Sequence, residues 1–329
     1  MARLRWGILG TGRMAATLAA DLQSMAANGI ELVAVAASSP DKAQRFAMQY
    51  GIPSALDNAE QLAAESLDAI YIATPHTLHS SHMLTCLQAN KAVLCEKPFT
   101  LNAIEARKVQ QVATSRHIFA MEAMWTRFLP ALVALRGMLA DGRIGQVRLI
   151  TGGGAFIPTL PKGHYLLDRA RGGGVLLDAG VYLISLASMI LGVPHKVLAS
   201  GHIGPAGVDE QDAIVLSYPN GAQALLYVSL QSRRSPDLEI LGDRGRIRVA
   251  APVFRPSSLT IWSADGSETT EEFPIEGSGY GYQIEAVCTA LRAGLAESPV
   301  MPLAESIAIM QTLDQVRAQT GLCYPGETL

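Results

Sequence analysis

Three stretches of this 329-residue chain carry side chains or backbone suited to chemistry. Gly10-Thr11-Gly12-Arg13-Met14-Ala15 has the form G-x-G-x-x-A. In such a turn Gly10 permits the tight bend, Gly12 lets a pyrophosphate approach the backbone, and Ala15 allows close packing of a helix whose N terminus faces the phosphates. Further on, where a carboxylate would hold a free ribose 2′-hydroxyl, the chain reads Ala36-Ala37-Ser38-Ser39-Pro40-Asp41-Lys42. No acid ends that strand, while Ser38, Ser39 and Lys42 can donate to a 2′-phosphate, so NADP is expected ahead of NAD. Asp41 lies close enough to take the acid's place, which keeps NAD open, and the same residues also suit a helix cap. The third stretch, Cys95-Glu96-Lys97-Pro98, follows an apolar run. Open α/β sheets bind ligands at that edge, and Pro98 biases Lys97 towards an extended backbone. By position alone Lys97 is equally a surface lysine at a strand end. His76, His79 and His82 are spaced by threes, so on a helix they fan around the axis with no acid beside them, and no metal site is expected.

The elements that must hold these residues alternate. Residues 3–9, 31–37, 68–73, 92–95 and 117–121 read as strands, and 14–27, 41–50, 78–89 and 102–115 as helices. This predicts an N-terminal Rossmann domain over 1–122 with a doubly wound parallel sheet. A helix at 129–140 precedes strands at 146–151, 197–202, 212–218, 222–231, 237–241 and 246–250, with turns at Pro219-Asn220-Gly221 and Asp265-Gly266. Helices are expected at 176–191, 281–293 and 303–319, while 152–171 and 251–280 show no clear pattern. The second domain, 123–329, should therefore be α+β with a large mixed or antiparallel sheet. Strand 212–218 is apolar on both faces, so one face needs cover from something other than helices.

Composition excludes several classes. A net charge of −3 with interspersed signs offers no basic field for nucleic acid. The arginines of Arg233-Arg234 and of 244, 246 and 248 read as one solvated face. The apolar run Val181–Val193 is shorter than the roughly 20 residues needed to span a bilayer, so no membrane partner is expected. Cys86, Cys95, Cys288 and Cys323 are far apart and form no C-x-x-C, as suits reduced thiols in the cytoplasm.

Taken in order, Gly10-Thr-Gly-Arg-Met-Ala, Ala73-Thr74-Pro75-His76 with His79, Glu96-Lys97-Pro98 and Asp178-Ala-Gly-Val-Tyr182 make the chain resemble the Gfo/Idh/MocA family along nearly its whole length. Met121-Glu-Ala-Met-Trp-Thr-Arg127 and Gly172-Gly-Gly-Val-Leu-Leu-Asp178 make it most similar to the branch of dihydrodiol dehydrogenases and NADP-linked D-xylose dehydrogenases. The resemblance implies that Lys97 lies beside the nicotinamide and the reacting oxygen, and that Tyr182 is the general acid/base. Thr74, Pro75, His79 and Glu96 are implied on the cofactor side. A second subunit over the open face of strand 212–218, in a homodimer or higher homo-oligomer through this sheet, is implied by the same resemblance. On a helix Asp178 and Tyr182 would share a face, and an ammonium near a phenol of reference pKa about 10 favours its phenolate. Asp178 would orient the substrate or the lysine. By spacing alone Tyr182 is equally a half-buried aromatic on a core helix. Many sugar and inositol dehydrogenases of the family carry histidine at this place, which argues against an inositol substrate. Trp125, Arg127, Phe156 and His164 are expected to wall or hydrogen-bond a small-molecule substrate. The expected activity is NADP-linked hydride transfer at a hydroxyl or carbonyl carbon of a sugar or cyclic vicinal diol. The alternatives are an aldose–aldose oxidoreductase that retains its nucleotide, or a redox-sensing regulator without turnover.

Overall fold

Runs of apolar residues with little polar alternation suit strands covered on both faces, and such runs form all but one of the six strands of the first sheet. The computed structural model describes residues 3–161, 163–233 and 237–327. Strands β1 (Leu4–Leu9), β2 (Ile30–Ala36), β3 (Ser54–Leu56), β4 (Ala69–Ile72), β5 (Ala92–Glu96) and β6 (Ala120–Ala123) lie in the order β3-β2-β1-β4-β5-β6. All pairings are parallel. Helices α1 (Arg13–Ser24), α2 (Pro40–Tyr50), α3 (Ala59–Ala64), α4 (His79–Gln88) and α5 (Ala103–Arg116) connect them. Trp6, Ile8, Ile70, Tyr71 and Ile72 are wholly inaccessible at the sheet's centre. β3 and α3 are not read from the sequence: the strand is three residues long and half-exposed. The last strand begins at Ala120 rather than 117, because His117 caps α5 with a left-handed φ of 53°.

The second sheet follows α6 (Pro130–Ala140). It comprises β7 (Val147–Ala155), β8 (Lys196–Ile203), β9 (Asp209–Ser217), β10 (Gln223–Ser229), β11 (Leu238–Gly242), β12 (Gly245–Val249), β13 (Ser258–Ser263) and β14 (Glu268–Glu272), in the order β14-β13-β12-β11-β7-β10-β9-β8. Only β7 and β10 pair in parallel. β7 runs through Gly152, Gly153 and Gly154, which the sequence suggested as loop; the Tyr227 ring of β10 lies over Gly153 in the place a side chain would take. A π-helical turn, Leu176–Gly180, leads into α7 (Val181–Leu191). The stretch Arg169–Leu191 is apolar enough to cross a membrane by composition (mean hydropathy 1.9), but 67% of that window is buried inside the protein.

The chain then forms α8 (Gly281–Arg292), which packs on α1, and α9 (Leu303–Thr320). By internal contacts it divides into two units, Met1–Trp125 with Glu276–Ile307, and Thr126–Ile275 with Ala308–Leu329. A division into 1–122 and 123–329 takes no account of the return of 276–307, because helical periodicity at 281–293 does not say which sheet the helix covers.

Candidate active site

In the first unit the sheet order reverses direction beside β1, where open α/β sheets leave a crevice at the carboxyl ends of the strands. Gly10 ends β1 with φ 114°, and a Cβ on it would overlap the Ala73 carbonyl. Gly12 is the N-cap of α1, no side chain caps that helix end, and no acid lies in its first turn. Among the described residues, no atom beyond its own chain neighbours and helix backbone approaches the place of a Gly12 side chain within 4 Å. The amides at the start of α1, with Thr11, Arg13 and Met14 around them, are thus suited to an anionic group, and the turn fits a dinucleotide pyrophosphate. Ser39 is the N-cap of α2 but its hydroxyl makes no capping bond. Ser38 and Lys42 are exposed beside it, as is Asp41.

Lys97 sits in a turn braced by three neighbours. The buried Tyr71 hydroxyl donates to Glu96 Oε1. His79, itself wholly inaccessible, places Nδ1 2.8 Å from the Pro98 carbonyl and Nε2 2.9 Å from that of Thr74. The Phe99 amide donates to Glu122 Oε1 at 2.9 Å. The Lys97–Pro98 bond is cis, and Lys97 is half-buried. Thr74, His79, Glu96 and Lys97, grouped on the cofactor side in the sequence, are therefore brought together, with Pro75 exposed at the rim. Burial holds the His79 pKa down at about 4, outweighing the two carbonyls that favour its charged form. Burial, then the Glu96 carboxylate, push the Tyr71 phenol well above its ordinary value. His82 meets Thr74 Oγ1 through Nδ1 at 3.0 Å. Trp125 is 3% exposed and stacks on Tyr280 at 4.3 Å between ring centroids. The Tyr280 hydroxyl reaches to 4.0 Å from Met14 Sδ. Tyr71, Glu122 and Tyr280 were not singled out in the sequence.

In the second unit Asp178 lies in the π-helical turn and Tyr182 in the first turn of α7. Hydrogen bonds in a π turn skip one residue further than in an α-helix, so the regular spacing expected over 176–191 holds only from Val181 onward. Asp178 Oδ1 accepts a hydrogen bond from Tyr165 Oη at 2.9 Å, a partner the sequence did not indicate. The Tyr182 ring lies 5.9 Å from that of Phe254. His164 Nδ1 accepts from the Leu166 amide, and its ring lies 4.6 Å from the Tyr165 ring, which brings it beside the partner of Asp178. Phe156 follows β7 and is 36% exposed. Arg127, expected to face substrate, is 3% exposed and donates to Ser185 Oγ at 2.9 Å and to the Ser185 carbonyl at 2.6 Å, engaging α7.

Comparison with known proteins agrees with these two sheets and their glycine turn. Residues 4–123 match the oxidoreductase family with NAD-binding Rossmann fold, and residues 132–248 the GFO/IDH/MocA C-terminal domain. The trans-1,2-dihydrobenzene-1,2-diol dehydrogenases of Homo sapiens and Bos taurus are 36% and 35% identical, each aligned over 98% of both chains. Among solved structures, KijD10, a 3-ketoreductase from Actinomadura kijaniata in complex with NADP and TDP-benzene, superposes with TM-score 0.86 at 26% identity, covering 97% of this chain and 98% of that one. An NAD binding oxidoreductase from Klebsiella pneumoniae shares the fold, with TM-score 0.88 at 20% identity, covering 98% of this chain and 97% of that one. The chain therefore belongs to the Gfo/Idh/MocA family and is a nicotinamide-nucleotide-dependent oxidoreductase acting on CH–OH groups.

Proposed function

We propose that the enzyme interconverts a hydroxyl and a carbonyl carbon of a sugar or cyclic vicinal diol, with NADP preferred over NAD. The observation that carries this reading is the braced turn at Lys97: Tyr71, His79 and Glu122 hold its flanking residues, so the backbone that carries the lysine is fixed in the same unit as the glycine turn at the start of α1. The cyclic diol is supported by the relatives named for trans-1,2-dihydrobenzene-1,2-diol, and chemistry at a carbonyl carbon by the 3-ketoreductase in complex with NADP and TDP-benzene. NADP is supported by the Ser39 hydroxyl, which does not cap α2, and by the exposed Ser38 and Lys42.

When bound, the nicotinamide supplies or accepts the hydride. Lys97 Nζ donates a hydrogen bond to the reacting oxygen and stabilises charge there. In oxidation Tyr182 Oη takes the hydroxyl proton, and in reduction it returns one to the carbonyl oxygen. Asp178, tied to Tyr165, orients the substrate. Phe156 offers it apolar surface and His164 a polar edge, while Trp125, buried against Tyr280, supports the first unit from within. Arg127 supports α7 from within.

The same reading places the enzyme in the cytoplasm, as its unpaired cysteines suit. It also makes the protein a homo-oligomer through the second sheet. Leu198, Leu225 and Tyr227 are 49%, 42% and 39% exposed on that sheet's outer face, and a second copy would cover them.

The test is nicotinamide absorbance with NADP or NAD and a panel of aldoses and cyclic diols, for the native chain, Lys97→Met and Tyr182→Phe. Turnover with NADP, lost in both variants by about 100-fold or more, is the expected result. Variants that turn over normally would remove Lys97 and Tyr182 from the chemistry, and tight nucleotide binding with no turnover would refute the substrate class.

A further inference from the structure

Two carboxyl groups wholly buried in the second unit, those of Asp209 and Asp212, have no part in the chemistry above. Residues three apart on a regular strand point to opposite faces. β9 escapes this through a bulge: Ile203 of β8 pairs with Asp209 and His202 with Gln211, which leaves Glu210 as the extra residue. Asp209 is thereby turned onto the inner face that also carries Asp212, Ile214 and Leu216, all at most 2% exposed.

The backbone closes over both acids. Gly174, at φ 117°, lies so near that a Cβ on it would overlap Asp209 Oδ1, and a Cβ on Gly201, opposite Asp212 on β8, would overlap Asp212 Oδ1. Asp209 Oδ2 accepts the Leu176 amide at 2.6 Å, and Leu176 is the first residue of the π turn. Among the described residues, Asp209 Oδ1 and both oxygens of Asp212 meet no N–H or O–H donor. They face each other, and burial raises both above the ordinary carboxylate range. Two charged carboxylates cannot share so closed a space, whereas one proton between them gives each a partner. The Tyr324 hydroxyl donates to the Gly173 carbonyl at 2.7 Å and braces the same loop from another side.

We propose that Asp209 and Asp212 form a carboxyl pair sharing one proton, and that this pair positions the π turn that carries Asp178 and leads into Tyr182. Both are positioning residues, acting through the Leu176 amide. The proposal rests on the role given to Asp178 and Tyr182 above.

The test compares native protein with Asp209→Ala and Asp209→Asn. The alanine variant loses the anchor, and kcat is expected to fall by about 10- to 100-fold with nucleotide affinity unchanged, as a small displacement of a reacting group does. Hydrogen exchange over 174–182 should rise with it. The asparagine variant restores most of both, because its amide donates to Asp212 while its oxygen still accepts from Leu176. In the infrared the native protein should show the carbonyl stretch of a protonated carboxyl at neutral pH, missing in Asp209→Asn. Should Asp209→Ala not fold, Asp209→Thr keeps a strand-compatible side chain too short to bridge the two partners. Native-like exchange and kcat in the truncated variant would refute the positioning role; absence of the protonated-carboxyl band would refute the shared proton. If native enzyme turned over no substrate in the panel, that would count against the proposed function, while exchange and infrared would still decide the pair.

Discussion

Acidification should destabilise the protein through His79 by an amount that can be worked out. The ring is wholly inaccessible, and burial lowers its pKa from 6.5 to about 4. The unfolded chain therefore binds a proton more readily than the folded one between those values, and stability is lost as pH falls through that window. At about 1.4 kcal/mol per unit, the loss approaches about 3 kcal/mol below the folded value and about 2 kcal/mol near pH 4.5. Other carboxyls titrate there too, so the measurement is a difference. Denaturant unfolding of native protein and His79→Gln at neutral pH and near pH 4.5 should show the native chain losing about 2 kcal/mol more than the variant. Parallel losses would show that the ring's pKa is not depressed. A smaller loss in the native chain would mean that the carbonyls of Thr74 and Pro98 hold the ring charged, each taking one N–H, and that the balance drawn here between burial and hydrogen bonding is wrong.

Two further expectations concern the two units in turn. Gly10→Ala places a side chain at φ 114° against the Ala73 carbonyl, costing about 1–3 kcal/mol in backbone strain alone. Its melting temperature should fall by several degrees and its nucleotide affinity by at least about tenfold in a binding titration; an unaltered affinity would show that this turn does not hold the phosphates. Tyr165→Phe removes a donor to Asp178, a half-buried bond worth about 1 kcal/mol, so kcat/KM should fall about fivefold, and unchanged kinetics would show that Tyr165 does not position Asp178 for the reaction.

What could be read in advance follows from how far apart the interacting residues lie. All strands of the first sheet but the short, half-exposed β3 announce themselves because both faces are covered, and Gly10, Gly12 and Ala15 because their conformational needs are local. The braces of Lys97 do not: Tyr71 and Glu122 come from β4 and β6, on either side of β5, and only strand register brings them to one turn. Asp209 and Asp212 look like opposite-facing residues until the bulge at Glu210 is known. β13 and β14 escape notice since β14 is mostly exposed and rich in Thr and Glu, although the turn between them at Asp265-Gly266 is legible. Arg127 reads as a ligand donor because a charge rarely sinks into a core, and it does so here by engaging Ser185.

The return of 276–307 to the first unit also orders events during synthesis. α8 covers α1, Arg292 reaches the Asn28 carbonyl at 2.8 Å, and Tyr280 stands near Met14, all from residues made after the second sheet. At 5–20 residues per second, the first unit waits roughly 9 to 36 s between the emergence of Trp125 and that of Ile307. For most of that interval α1 is without α8, and the nucleotide turn lacks Tyr280. The first unit is therefore completed only after the second sheet has been made, and a bound nucleotide cannot stabilise the complete unit until the chain is almost finished.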